Sequence, residues 1–174
     1  MQKLITWLGL DFRLRTDNVK RYLLQCGLAT GFVLILLLIL DTLTQTVLIA
    51  ALGASTFIAF AVPMTTNAAP RNMIGGYLVG IVAGGLMAAL RGDVDLALHL
   101  AGDHHLVVIF GALAMGLAML LMVLTRTEHP PAAALALGLV LNEWDRMTLV
   151  VIIVGIVFLA TFKHVVRPWI RDLL

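Results

Sequence analysis

The stretch YLLQCGLATGFVLILLLIL, Tyr22 to Leu40, contains no Asp, Glu, Lys or Arg. As an α-helix rising ~1.5 Å per residue it is long enough to cross the ~30 Å hydrocarbon core of a bilayer. A soluble domain must cover its core with polar side chains, and this run has no charge with which to do so. Three further runs are of spanning length: Thr46 to Val62, Asn72 to Leu90 and Leu106 to Thr125. A buried core helix would explain one such run but not four. The whole chain agrees, since of its 174 residues 61% are hydrophobic and 13% charged, with a mean hydropathy of +1.01. Soluble domains are about a quarter charged. The expected fold class is all-α: a polytopic helical membrane protein with one transmembrane domain over residues 22–162.

Two more apolar segments are shorter. Pro130 to Leu141, extendable to Trp144, and Met147 to Phe162 each fit a core helix, a re-entrant segment or a span shortened by burial in protein. The basic residues arbitrate, because Lys and Arg are retained on the cytoplasmic side. With six crossings and the amino terminus inside, Lys3, Arg13, Arg15, Lys20, Arg21, Arg71, Arg126, Lys163, Arg167 and Arg171 lie inside. Of the twelve basic residues only Arg91 and Arg146 are then outside. If Pro130 to Trp144 dipped in and returned, Lys163, Arg167 and Arg171 would join Arg91 outside, and the bias would be weaker.

Six membrane segments are therefore expected, near 22–40, 46–62, 72–90, 106–125, 130–144 and 147–162. Residues 1–21 and 163–174 are cytoplasmic in this reading, and the membrane is a bacterial inner (plasma) membrane. The loop from Arg91 to His105 is external, in keeping with its Asp93, Asp95 and Asp103. A 15-residue helix spans only about 22 Å, so the fifth segment should be buried in protein. The three segments before the external loop start inside and the three after it start outside, the geometry of two inverted three-helix halves.

Other features exclude function classes. The net charge of +2 comes from side chains placed between apolar runs, not from one patch, so the lipid bilayer is an expected partner and nucleic acid is not. Cys26 is the one cysteine; it permits no intramolecular disulfide and reads as a small packing residue. Lys3, Asp11, Arg13, Arg15, Asp17, Lys20 and Arg21 precede the first apolar run, so no cleavable signal is expected and the first span stays as an anchor. Trp7, Leu8 and Leu10 beside basic residues suit either the membrane interface or a short disordered tail.

Small residues mark where helices meet. Gly76, Gly80 and Gly84 recur every four residues in the third span, a face that a neighbouring backbone can approach closely. It reads as intramolecular packing before oligomer contact. Ala112 with Gly116, and Ala114 with Ala118, repeat the spacing in the fourth span. Gly53, Ala54, Ser55 and Thr56 stand in succession in the second, where either the glycine loosens the helix and the hydroxyls face a path, or the four residues simply pack tightly.

Two proline motifs begin membrane helices on the same expected side. One is Asn67, Ala68, Ala69, Pro70, Arg71, Asn72; the other is Thr127, Glu128, His129, Pro130, Pro131. Proline suits a first helical turn, where its missing amide hydrogen would have no partner. Each start offers free amides and the positive end of a helix dipole, to which Arg71 adds a fixed charge and His129 one that depends on pH. The expected substrate-binding set is His129, Pro130, Pro131, Arg71, Asn72, Gly53, Ser55 and Thr56, with Glu128 and His129 as a proton-relay pair. The ordinary alternatives are an anchoring role for Arg71 and, for His129, capping of its own helix or pairing with Glu128. His99, Asp103, His104 and His105 read as a solvated loop in preference to a metal site. No cofactor or metal is expected.

The run Glu128 to Ala134, together with Gly53, Ala54 and Ser55 and with Pro70 to Gly76, resembles the HPP family of integral membrane proteins. The similarity covers roughly Leu24 to Phe158. It implies a multi-pass membrane protein of bacterial or plastid type acting in transport, with nitrite the substrate linked to plastid members. This chain departs from the family pattern at Tyr77, where a His is expected after the paired glycines. It departs again over Thr65 to Ala69, which replaces a stretch of Ser, Pro and Gln.

The leading expectation is a transporter or channel for a small inorganic anion. Its driving force would be an ion or substrate gradient, since the chain has no Walker-type nucleotide loop. The chain is not expected to be an enzyme; the alternatives are an intramembrane enzyme using His129 and Glu128, or a scaffold or sensor subunit. Against the enzyme stand the absence of a His-Glu-x-x-His motif, of paired Asp in the spans and of a plausible Ser-His couple. A homo-oligomer would supply interior that six short segments lack.

Overall fold

The computed structural model describes residues 19–39, 46–98 and 104–173. The interfacial Trp7, Leu8 and Leu10, and His99 and Asp103 of the external loop, lie outside these residues. Six α-helices follow one another: α1 (Val19–Ile39), α2 (Thr46–Ala61), α3 (Pro70–Leu98), α4 (His104–Thr125), α5 (Pro130–Leu141) and α6 (Arg146–Val166). Short 3-10 turns at Thr66–Ala68 and Arg167–Trp169 follow α2 and α6. The described residues contain no strand.

Hydrogen bonds fix which helix ends lie together. At one end Gln25 of α1 donates to the carbonyls of Phe60 and Arg171, and Arg71 donates to Thr125 O at 3.3 Å. Asn72 donates to Glu128 O at 3.2 Å, and Lys163 to Ala68 O at 2.8 Å. At the other end Arg91 shares a cavity of about 580 Å³ with Asn142, Glu143 and Trp144. The last four helices thus alternate in direction, and α3 and α5, two helices that begin with proline, run parallel from the same end.

The packing is that of a protein dissolved in lipid. Large apolar side chains such as Leu34, Leu38, Val82, Leu120, Leu124 and Val154 are exposed, while Ala114, Ala118, Ala132, Ala136 and Ala160 are buried. Lipid tails are as apolar as leucine, so helix association relies on close contact between small residues instead. A Cβ on Gly80 would stand 2.5 Å from Ala132 O, and one on Gly84 2.7 Å from Ala136 O. The glycine face of α3 is therefore the seat of α5, as intramolecular packing requires. In α4 the row of Ala114 and Ala118 is buried, whereas Ala112 and Gly116 face outward.

Among the described residues three helices are long and apolar enough to cross a membrane: Pro70–Ala97, His104–Thr125 and Arg146–Trp169. Pro130–Leu141 is a shorter apolar helix, and the described part of α2 is also below that length. As expected of a short segment, α5 is surrounded by protein, packing on α2, α3 and α4 with Pro131, Ala132, Ala133, Leu135, Ala136, Gly138, Leu139 and Val140 buried.

Several boundaries differ from the sequence reading. The third helix continues to Leu98, so Arg91, Asp93 and Asp95 occupy its last turns instead of a loop. A helix need not stop where the hydrocarbon does, because its backbone bonds remain satisfied in the headgroup region. The fifth stops at Leu141, where the amide and side chain of Asn142 both donate to Gly138 O, at 3.0 and 2.8 Å, and Trp144 Nε1 donates to Leu139 O. The sixth is not short: it has 21 residues and runs past Phe162 through Lys163 and His164. It opens with a capping box in which Asp145 accepts from the hydroxyl and the amide of Thr148, each at 2.7 Å. The hydroxyl bond above all, then the amide, hold the Asp145 carboxyl below its ordinary range.

Candidate functional site

Tertiary folding brings three polar side chains together where α2, α3 and α5 meet. Ser55 Oγ lies 2.8 Å from His129 Nε2 and 2.9 Å from the Tyr77 hydroxyl, and the Tyr77 and His129 rings stand 5.7 Å apart. All three are buried, at 0%, 0% and 1% exposure. Each arrives for a local reason. The fourfold glycine spacing of α3 lets His129 settle on that helix, since a Cβ on Gly76 would lie 2.7 Å from His129 Cβ. His129 occupies the N-cap of α5 but its side chain does not cap that helix. Its ring turns inward instead, with Nδ1 2.9 Å from Asn67 O.

Proton counting constrains this cluster. A carbonyl only accepts, so Nδ1 carries hydrogen and donates to Asn67 O. In a neutral ring Nε2 is then an acceptor: Ser55 donates to it, and Tyr77 donates to Ser55. In a charged ring Nε2 donates to Ser55, whose own proton turns to Ala51 O, 3.0 Å away. Tyr77 donates to Ser55 in both cases. One rotation of the Ser55 hydroxyl accommodates either state with every group satisfied, which a buried polar cluster requires.

The expected site residues do not converge on one place. Arg71 is exposed and spends a guanidinium bond on Thr125 O; Asn72 is buried and holds Glu128 O. Glu128 is exposed and is not among the hydrogen-bond partners of the His129 ring, although both border an apolar groove of about 280 Å³ with Met115, Met119 and Met122. Pro131 is buried in the packing and Pro130 is exposed beside the groove. The helix is unbroken through Gly53, and Thr56 bonds back to Leu52 O at 2.8 Å, so Gly53 to Thr56 is no loosened segment. Of those four residues only Ser55 reaches the cluster.

Tyr77 is the residue that sequence reasoning left out of the site. Its signal was a hydroxyl one step beyond the paired glycines, at the position where a His was expected. The absence of a plausible Ser-His couple is also corrected: Ser55 and His129 are 74 positions apart, a separation at which no local spacing reveals contact.

A polytopic helical membrane protein with a buried Ser-Tyr-His cluster between closely packed spans is the class that these features define. The transmembrane region of HPP proteins matches residues 15–171, and the chain belongs to the HPP family. A transmembrane protein of Dictyostelium discoideum is 36% identical over 100 residues, covering 58% of this chain and 32% of that protein. The chain thus matches about a third of that relative's length. No solved structure matches significantly.

Proposed function

We propose that this HPP-family membrane protein carries a small inorganic anion across the membrane, with the Ser55–Tyr77–His129 cluster at the pathway. The observation that carries the reading is the contact between α2 and the short helix α5. α2 and α5 are each the middle helix of a three-helix half, run in opposite directions, and contribute Ser55 and His129 to one contact. Short segments in corresponding positions of inverted halves are where transporters build their sites, and buried ionisable groups in spans mark ion or proton paths. In this reading all six helices are membrane segments, both termini are cytoplasmic in a bacterial inner membrane, and His129 passes protons between the groove bordered by Glu128 and the Ser55 hydroxyl. A homo-oligomer would complete a pathway for which one chain has little interior.

Nitrite is the first candidate, supplied by the family resemblance. Proteoliposomes loaded against nitrite, nitrate, chloride, formate and cyanate should show flux of at least one of them above empty vesicles. Flux of none would end the transport reading.

The 2.8 Å contact between Ser55 and His129 favours a second reading, an intramembrane enzyme with Ser55 as nucleophile and His129 as base. Against it, the Ser55 hydroxyl is fully enclosed. Labelling of Ser55 by a fluorophosphonate, lost in Ser55→Ala, would favour the enzyme.

A further inference from the structure

Lys163, in the last turn of α6, is 4% exposed. Its ammonium donates to Ala68 O at 2.8 Å, which occupies one of three donors. Beside it stand His164 and Arg167, and the three line a cleft of about 250 Å³ together with Thr65, Thr66 and Pro70. Among the described residues no salt bridge engages any of the three. The neighbouring acid, Asp172, accepts from the Met64 amide through Oδ1 at 2.9 Å.

Positive charge at a helix carboxyl end and on the cytoplasmic face explains His164 and Arg167, which are exposed. It does not explain Lys163. A lysine serving only as an anchor extends its ammonium to water, whereas Lys163 is enclosed against the Ala68 carbonyl, with Asp172 the acid in electrostatic reach and Arg167 opposing it, so the local charge stays positive. A cleft walled in part by Pro63, Met64 and Ala69, with a buried ammonium and two further basic groups, is completed by an anion. Two donors on Lys163 and the guanidinium of Arg167 suit an acceptor with several oxygens.

We propose that this cleft binds a small oxyanion group, as a free inorganic ion or as the phosphate of a lipid headgroup. The site is separate from the Ser55–Tyr77–His129 cluster but touches it through the turn Thr66–Ala68. Lys163 holds Ala68 O and His129 holds the preceding carbonyl, Asn67 O. The inference rests on the transport reading for what the anion does next; binding itself is measured without flux.

The test uses the full chain with Cys26→Ala and Thr66→Cys, in phosphatidylcholine nanodiscs, labelled by a maleimide at fixed ionic strength. Inorganic phosphate should slow labelling of Thr66→Cys saturably, where gluconate does not. Arg167→Gln, at an exposed position, should raise the half-protecting concentration about tenfold, as loss of one charge-assisted bond implies. Lys163→Met should abolish protection; if it does not fold, Arg167→Gln carries the test. A second arm replaces free phosphate with phosphatidylglycerol in the nanodisc, and protection confined to that arm assigns the headgroup. Protection in neither arm, or protection that Arg167→Gln leaves intact, overturns the site. A chain that transports without protection loses the cleft alone, and one that is protected without transporting loses the transport reading alone.

Discussion

Pro70 and Pro130 start parallel helices from the same end of the molecule, each beside a basic residue, and the two basic residues have opposite fates. Arg71 follows its proline, stays at the surface and reaches only the carbonyl of Thr125. His129 precedes its proline, is 1% exposed and turns its ring onto Ser55 and Asn67 O. The difference lies in the neighbours, not in the proline. α3 is long and presents its first turn to the rim, whereas α5 is short, sits on the glycine face of α3 and carries its N-cap residue into the interior. A basic side chain at a helix start enters the interior only when packing encloses it.

The largest expected effect comes from breaking that packing. Gly80→Val would drive a branched side chain into Ala132 O, which a Cβ already approaches to 2.5 Å. Backbone cannot give way as a side chain does, so the cost should be about 3 kcal/mol or more, at or above the upper end of ordinary overpacking. The thermal midpoint in detergent should fall sharply or the protein fail to fold. Gly85→Ala is the control: its Cβ meets nothing within 4 Å, and the midpoint should hold or rise slightly, as alanine favours helix by up to ~1 kcal/mol. Equal damage from both would mean that the glycine face is not the seat of α5.

A smaller effect is expected from Tyr77→Phe, which keeps the ring in place and removes the hydroxyl that donates to Ser55 in either state of His129. Transport should fall about five- to tenfold, the worth of one neutral hydrogen bond, with the fold preserved. Unchanged flux would place Tyr77 in packing alone.

The contrast also marks what the sequence can reveal. The helices α1 and α4 were legible because a charge-free apolar run of that length has one physical explanation, and the glycine spacing on α3 identified a packing face before its partner was known. The starts at Pro70 and Pro130 were legible from the chemistry of the missing amide hydrogen. The far ends were not: hydropathy marks the apolar run, while α3 and α6 continue on backbone bonds past its end. Lys163 read as a topology marker because charge counting has no information on burial. The cluster was beyond reach for a different reason, since Ser55, Tyr77 and His129 come from three separate helices and each alone resembles an ordinary helical residue. Grouping His129 with Arg71 by similarity of motif joined two residues that face different surroundings.

The most direct measurement compares anion flux in proteoliposomes of the unmodified chain, His129→Ala and Arg71→Ala, using whichever anion the screen identifies, with matched protein incorporation. If the interior cluster lies on the pathway, His129→Ala should lower flux by about a hundredfold, as loss of a positioned proton carrier does, while Arg71→Ala retains most of it. Flux that survives His129→Ala, or that Arg71→Ala abolishes in its place, would contradict a pathway through Ser55, Tyr77 and His129.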